Sequence, residues 1–227
     1  VSHLLARRGE PLSSHLLRVA ELAERLAEDL RLGLGRQARI AGMLHDLGKG
    51  DAGAQERYAR GLGAPGHEVV SFAVAYGILE KLSLPKEEDA AVILLAVLRH
   101  HQAMATPSER LNELAERRWF KGKASLSALS SIVSSALGCQ FSIESWPRSF
   151  EELQRTVEQV WQKCCHSVRS DPGAQLKARL LTGVLIAADY HVASGSEGPS
   201  GKTLFSTELE HFFKSLEKMR RELGGWE

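Results

Sequence analysis

Residues 36–49 read RQARIAGMLHDLGK. Ala38, Ala41, Met43 and Leu44 recur at three- and four-residue spacing, the signature of a helix with one apolar face. That face runs directly into His45 and Asp46, and Gly48 then stops the helix. Adjacent side chains leave a helix about 100° apart, so His45 and Asp46 converge on one ion only where the helix terminates and the backbone is free to adjust. Lys49 follows one turn past His45. A lone His-Asp pair is common in sequences; its place at the close of an apolar helix, with glycine behind it, gives this one weight.

Helical periodicity continues on both sides. Ser13 or Ser14, after Pro11, reads as an N-cap for a helix carrying Leu16, Leu17, Ala20, Ala23, Ala27 and Leu30, stopped by Gly33 and Gly35. The helix of the opening stretch runs from about Arg36 to Leu47. Residues 48–66 hold glycines and a proline around a short amphipathic piece, a loop composition. Further helices are expected from His67 to Lys81, from Pro85 to His101, and over about 125–137, 150–167 and 172–194. A polar stretch, 102–124, reads as irregular and insertion-like. After a Gly/Ser-rich loop, 194–201, a last amphipathic helix is expected near 207–223. No alternating segment long enough for a strand and no repeat is visible. The expectation is an all-α protein, one domain over 1–227 with its core at about 13–194.

Composition narrows the function classes. With 43% hydrophobic and 25% charged residues the chain is an ordinary globular one, which excludes disorder, collagen-like repeats and mucin-like stalks. The 29 basic and 28 acidic side chains leave a formal net charge of +1, so no overall basic field holds a nucleic acid and any such contact must be local. Cys139, Cys164 and Cys165 are odd in number, two of them adjacent, which fits neither a disulfide framework nor a zinc site and points to a reducing cytoplasm. The N-terminal stretch lacks the pattern of a signal peptide. The longest apolar run, Ala90 to Leu98, is far short of the ~20 residues that cross a bilayer. No membrane association is expected.

Nine histidines against three tyrosines is the unusual count. His100 and His101 close the longest apolar run, where each brings a polar nitrogen that needs a partner; a surface helix end, with the imidazoles against the negative end of the dipole, is the alternative. His15 on the first helix reads as a ligand or as a satisfied core histidine, and His67 as a ligand or simply a helix start. Asp189 ends the run LTGVLIAA, residues 181–188, and a carboxylate there is costly unless it is paired or bound to metal; Lys177 or Arg179 would be the pairing partner otherwise.

In order these residues are His, His-Asp, His, His-His and Asp, separated by 30, 22, 33 and 88 residues. That order in a helical context resembles the HD phosphohydrolase superfamily. With His67 and the His100-His101 pair it is similar to the HD nuclease of CRISPR interference, the domain joined to, or working beside, a superfamily-2 helicase. The likeness rests on SHLLRVAELA around His15, HDLGK, GHEVVSFAVA around His67, LRHHQ, and ADYHVAS around Asp189. It implies that His15, His45, Asp46 and Asp189 hold one ion and that Asp46 bridges to a second held by His67, His100 and His101. It implies two divalent ions, cleavage of single-stranded DNA in antiviral defence, and partnership with a helicase in cis or trans and a CRISPR surveillance complex.

The chemistry fits that inventory on its own terms. Phosphodiester hydrolysis needs a hydroxide at neutral pH and stabilisation of charge on the phosphate, which two divalent ions about 3.5–4 Å apart supply. Five imidazoles and two carboxylates suit Mn, Fe, Co or Ni better than Mg, which prefers oxygen. Lys49 is expected either to meet a non-bridging phosphate oxygen or to be a solvated lysine after a helix stop. Ser71 and Ser194 are weaker candidates for substrate contact. Arg117, Arg118, Lys121 and Lys123, interleaved with Trp119 and Phe120, have the composition of a single-strand groove; the alternative is a helix end whose aromatics join the core. Gly201-Lys202-Thr203 is rejected as a Walker A loop, because Ser196 stands where a glycine is required and no strand precedes it.

Two rival functions remain at this point. An HD phosphohydrolase acting on nucleotides or cyclic nucleotides needs only the minimal His, His-Asp, Asp set. A binding module with a structural metal belongs to another class, but such a site seldom needs seven ligands.

Overall fold

Leu12, Leu16, Val19, Ala20, Ala23 and Ala27 lie along one stripe of helix α1 (Leu12–Asp29), and all are buried. The computed structural model in which they do so describes residues 4–82, 84, 87–101, 106–138 and 140–194. The expected helix at 207–223, Pro85 as a helix opener and Gly201-Lys202-Thr203 lie outside those residues. The chain divides into two compact units, Val1–Val192 and Ala193–Glu227; of the second, Ala193 and Ser194 are described. No helix among the described residues is long and apolar enough to cross a membrane.

The described residues are overwhelmingly helical, as expected. After α1 come α2 (Gly35–Leu44), a 3-10 turn (Leu47–Gly50), α3 (Ala52–Ala59), α4 (His67–Leu79) and α5 (Glu87–Arg99). They are followed by α6 (Pro107–Arg117), α7 (Leu126–Leu137), α8 (Phe150–Arg169) and α9 (Pro172–Ala193). Helix α1 packs along α2, and α4 and α5 lie together and against α8. Residues 91–98 of α5 are buried without a break, and α4 buries every residue from His67 to Ala75. A helix apolar all round belongs at the centre of a bundle; these two form it, with Phe72, Ile78, Ile93, Leu94 and Leu98 essentially sealed from solvent.

Three expectations change. A small antiparallel hairpin, β1 (Leu5–Arg7) with β2 (Glu10–Pro11), precedes α1, its turn made at Gly9 with φ +82°. Strands of three and two residues are too short to show alternation. With the hairpin leading in, α1 starts at Leu12 behind Pro11, not behind Ser13 or Ser14. The stretch 102–124 is not wholly irregular, because it contains α6, opened by a capping box in which Thr106 and Glu109 bond reciprocally, with Pro107 at the first position.

Helix α2 ends at Leu44, three residues earlier than expected, and His45 and Asp46 sit in the turn that follows. The chain then passes hard against α4. A Cβ on Gly48 would lie 2.2 Å from the His67 carbonyl oxygen and 2.8 Å from the Ser71 nitrogen, so only glycine permits the approach. The Gly48 N–H donates to Ser71 Oγ at 2.9 Å. That contact brings the His45-Asp46 turn to the start of α4, where His67 stands.

Candidate metal centre

Five elements bring side chains to one buried place. His15 comes from the first turns of α1, His45 and Asp46 from the turn after α2, His67 from the first position of α4, His100 and His101 from the end of α5, and Asp189 from the last turns of α9. His15, His45, Asp46, His67 and His100 are buried, and the Asp189 side chain is 14% exposed. These atoms form two groups, His15, His45, Asp46 and Asp189 in one, Asp46, His67, His100 and His101 in the other. Within each group the ligand atoms lie within 4.8 Å of one another.

Asp46 belongs to both, with one oxygen in each. Oδ2 lies 3.1 Å from His15 Nε2 and 3.3 Å from His45 Nε2, while Oδ1 lies 2.7 Å from His67 Nε2 and 3.5 Å from His100 Nε2. Asp189 Oδ1 completes the first group at 3.2 Å from His15 Nε2 and 3.7 Å from His45 Nε2. In the second, His101 Nε2 faces His67 Nε2 at 3.3 Å.

The imidazoles are set with their Nε2 atoms inward. Nδ1 of His45, His67 and His100 donates to the backbone carbonyl three residues earlier, at Gly42 (2.7 Å), Ala64 (2.8 Å) and Val97 (2.7 Å). An outward Nδ1–H leaves a lone pair on Nε2, the arrangement metal-bound histidines use. The Nε2 atoms of His15, His45 and His100 are buried without a hydrogen bond, and Asp46 Oδ2, which the Lys49 ammonium approaches, is buried with them. Buried imidazole nitrogens turned into each group call for a partner, and a divalent cation fits that place in both.

Charge differs between the groups. Burial opposes protonation of His45, but Asp46 and Asp189 outweigh it and push the imidazole up to about 10; burial is outweighed at His15 by the same two carboxylates. Burial likewise opposes ionisation of Asp46, which His45, Lys49 and His67 nevertheless hold well below the usual carboxylate range, and Asp189 is lowered against burial by His15 and His45. In the second group burial and the neighbouring imidazoles push His101 down to about 3, and burial, with His45 and His67, lowers His100 despite Asp46. These two are held neutral, the form that ligates.

The family model for the HD domain matches residues 12–136, more than half of the chain. The chain belongs to the HD domain family. HD domains are metal-dependent hydrolases that bind divalent ions, and the two His/Asp groups are where this one would hold them. No curated protein matches the chain. Among solved structures it is similar to the CRISPR-associated Cas3 HD domain protein MJ0384 from Methanocaldococcus jannaschii, with a TM-score of 0.55 and 20% identity. The match covers 83% of this chain and 100% of that one, a likeness of fold.

Other residues singled out in the sequence fall in different places in this HD domain. Lys49 projects its ammonium to 2.5 Å from Asp46 Oδ2 and is 13% exposed. Ser71 does not reach a surface: it is fully buried and anchors Gly48. Ser194 is exposed beyond α9. Arg117, Arg118, Lys121 and Lys123 are exposed, with Lys121 paired to Glu56. Trp119 is no stacking platform, being 4% exposed with its indole N–H donating to the Pro65 carbonyl, and Phe120 packs against the core.

Sequence reasoning missed a buried carboxylate in the loop after Lys49 and another beside His67. Asp51 is fully buried and accepts from the backbone N–H groups of Gly53 (2.8 Å), Lys121 (2.9 Å) and Lys123 (3.2 Å). It therefore caps α3 and ties the segment 121–124 to the loop that carries Lys49. Glu68 is 2% exposed with Oε2 3.8 Å from His67 Nδ1 and Oε1 3.7 Å from Arg110. The position of Asp51 one residue before a helix is an N-cap signature that was open to reading; nothing in the sequence distinguishes Glu68 from any acid in a first helical turn.

Proposed function

We propose that this HD domain is a nuclease that cleaves single-stranded DNA during CRISPR interference, in the cytoplasm, with a superfamily-2 helicase in cis or trans and a surveillance complex as partners. The observation that carries the reading is the doubled site. A one-ion phosphohydrolase needs His15, His45, Asp46 and Asp189, which leaves His67, His100 and His101 without a task; here their Nε2 atoms gather around the second oxygen of Asp46. The similar solved structure carries the name of a Cas3 HD domain, which supports the same assignment.

Two divalent ions held by these residues, Mn, Fe, Co or Ni before Mg given the imidazole-rich donors, would supply hydroxide at neutral pH and stabilise charge on the phosphate. The chain's own residues do the rest. Asp46 joins the two groups, and the outward Nδ1 bonds of His45, His67 and His100 fix their rings before substrate arrives. Lys49 offers an ammonium beside Asp46 with access to solvent, placed to meet a non-bridging phosphate oxygen. Arg117, Arg118, Lys121 and Lys123 offer exposed charge for the sugar-phosphate strand, and Ser194 a hydroxyl.

The test is one assay. Protein loaded with Mn, Co, Ni or Mg is offered circular single-stranded DNA, duplex DNA and a panel of nucleotides and cyclic nucleotides. Cleavage of the circular single strand is expected. Turnover of nucleotides without it would leave the small-molecule phosphohydrolase as the function, and inactivity with every metal would leave a metal-bearing binding module.

A further inference from the structure

Three of the ring-fixing bonds described above end on backbone carbonyls; the fourth buried imidazole has none. His15 is 3% exposed and its Nδ1 makes no hydrogen bond. The group beside that nitrogen is a carboxylate, with Glu10 Oε1 at 3.5 Å. Glu10 belongs to β2 of the N-terminal hairpin. It is held from two sides, by Arg7 Nε at 2.7 Å from Oε2 and by Arg18 Nη1 at 3.7 Å from Oε1. Its side chain is 14% exposed, and both oxygens are buried, Oε2 against Arg7 and Oε1 toward His15 and Arg18. An exposed hairpin ion pair would leave its carboxylate in water. This one is turned under the hairpin, toward the back of His15.

We propose that Glu10 is a positioning residue of the metal centre, accepting the Nδ1 proton of His15 so that the imidazole presents Nε2 to the ion it shares with His45, Asp46 and Asp189. An imidazole that gives its Nε2 lone pair to an ion carries its proton on Nδ1, and a buried N–H without an acceptor is costly. A small rotation of either side chain turns the 3.5 Å approach into a hydrogen bond. Arg7 and Arg18 hold the carboxylate in place for it. The HD family match begins at residue 12, so Glu10 and the hairpin that carries it lie outside the matched segment. The hairpin is thus a working part of the centre, and the inference rests on reading the seven residues as a two-ion site.

Metal titration of the full chain followed by calorimetry tests it, with Mn and Ni as probes and Glu10→Gln and Glu10→Ala as variants. Glu10→Gln keeps an oxygen acceptor and retains both sites close to wild-type affinity. Glu10→Ala leaves one site unchanged and weakens the other by about 10–100-fold, the usual effect of removing such a partner. Unchanged binding at both sites in Glu10→Ala, or equal weakening of both, overturns the proposal. If Glu10→Ala does not fold by circular dichroism, imidazole nitrogen NMR of the zinc-loaded wild-type protein decides. Zinc on His15 Nε2 with a slowly exchanging Nδ1 proton supports the proposal, and zinc on Nδ1 or a rapidly exchanging Nδ1 proton defeats it. Wild-type protein that takes up fewer than two ions removes the two-ion reading itself, independently of any DNA cleavage.

Discussion

Asp46 gives one oxygen to each ligand group, so its loss is felt twice. Asp46→Asn is expected to lower uptake of both ions and to abolish metal-dependent hydrolysis, whereas Asp189→Asn lowers uptake of one; metal analysis after dialysis separates the two outcomes. The same residues set a pH dependence. His45, raised from 6.5 to about 10, stabilises the metal-free fold fully below pH 6.5 and loses that contribution as pH rises toward 10. His101, lowered to about 3, acts the other way, favouring the fold above pH 6.5 and losing that contribution as pH falls toward 3, and Asp46 and Asp189 add to the loss below 3.8. Thermal unfolding with chelator should therefore peak near pH 6.5, as far as these groups decide it. Bound metal requires His45 to release its proton, so the loaded protein should gain on the metal-free one as pH rises above that value. At this scale the residues of the two His/Asp groups are legible in the sequence, because imidazoles closing apolar helices bring polar nitrogens that need a partner. Glu10 and Glu68 are not, since a glutamate's burial depends on what folds over it.

Gly48 shows how one element is fitted to another. Gly48→Ala places a methyl carbon 2.2 Å from the His67 carbonyl oxygen and should cost about 1–3 kcal/mol by forcing the backbone apart. Gly77, inside α4 with nothing within 4 Å of its would-be Cβ, is the matched control; Gly77→Ala should raise stability by up to about 1 kcal/mol through helix propensity. Denaturant unfolding of the two variants checks both signs. The helices α1, α2, α4, α5, α7, α8 and α9 followed from periodicity. Helix α6 did not, although Thr106-Pro107 and Glu109 spell a capping box, because the polar composition of 102–124 obscures that local signal. The early end of α2 is a tertiary effect: the Gly48–Ser71 contact fixes where the chain must turn.

The whole molecule carries a net charge of +1, and the four exposed cations at 117–123 are the local exception it allows. Changing Arg117, Arg118, Lys121 and Lys123 together to Ala should weaken binding of single-stranded DNA and flatten its salt dependence by about 0.7 for each phosphate that is no longer neutralised. Filter binding across a salt series reads this directly, and an unchanged slope would exclude the segment as a strand contact. Hydrolysis of a small phosphodiester should survive the change, since Asp51 anchors this segment through backbone N–H groups that alanines retain.

The candidate ligands stand at 15, 45, 46, 67, 100, 101 and 189, the last of them 88 positions beyond its predecessor. Two ions held there would cross-link the five segments that carry these residues, and would bind the folded chain in preference to the unfolded one. Each ion present at 100 times its dissociation constant then adds about 2.7 kcal/mol to the stability of the fold. Loading with metal should accordingly appear as resistance to heat and proteolysis, and a chelator should return the chain to a state from which α9, tethered through Asp189, is the segment freed of its longest link.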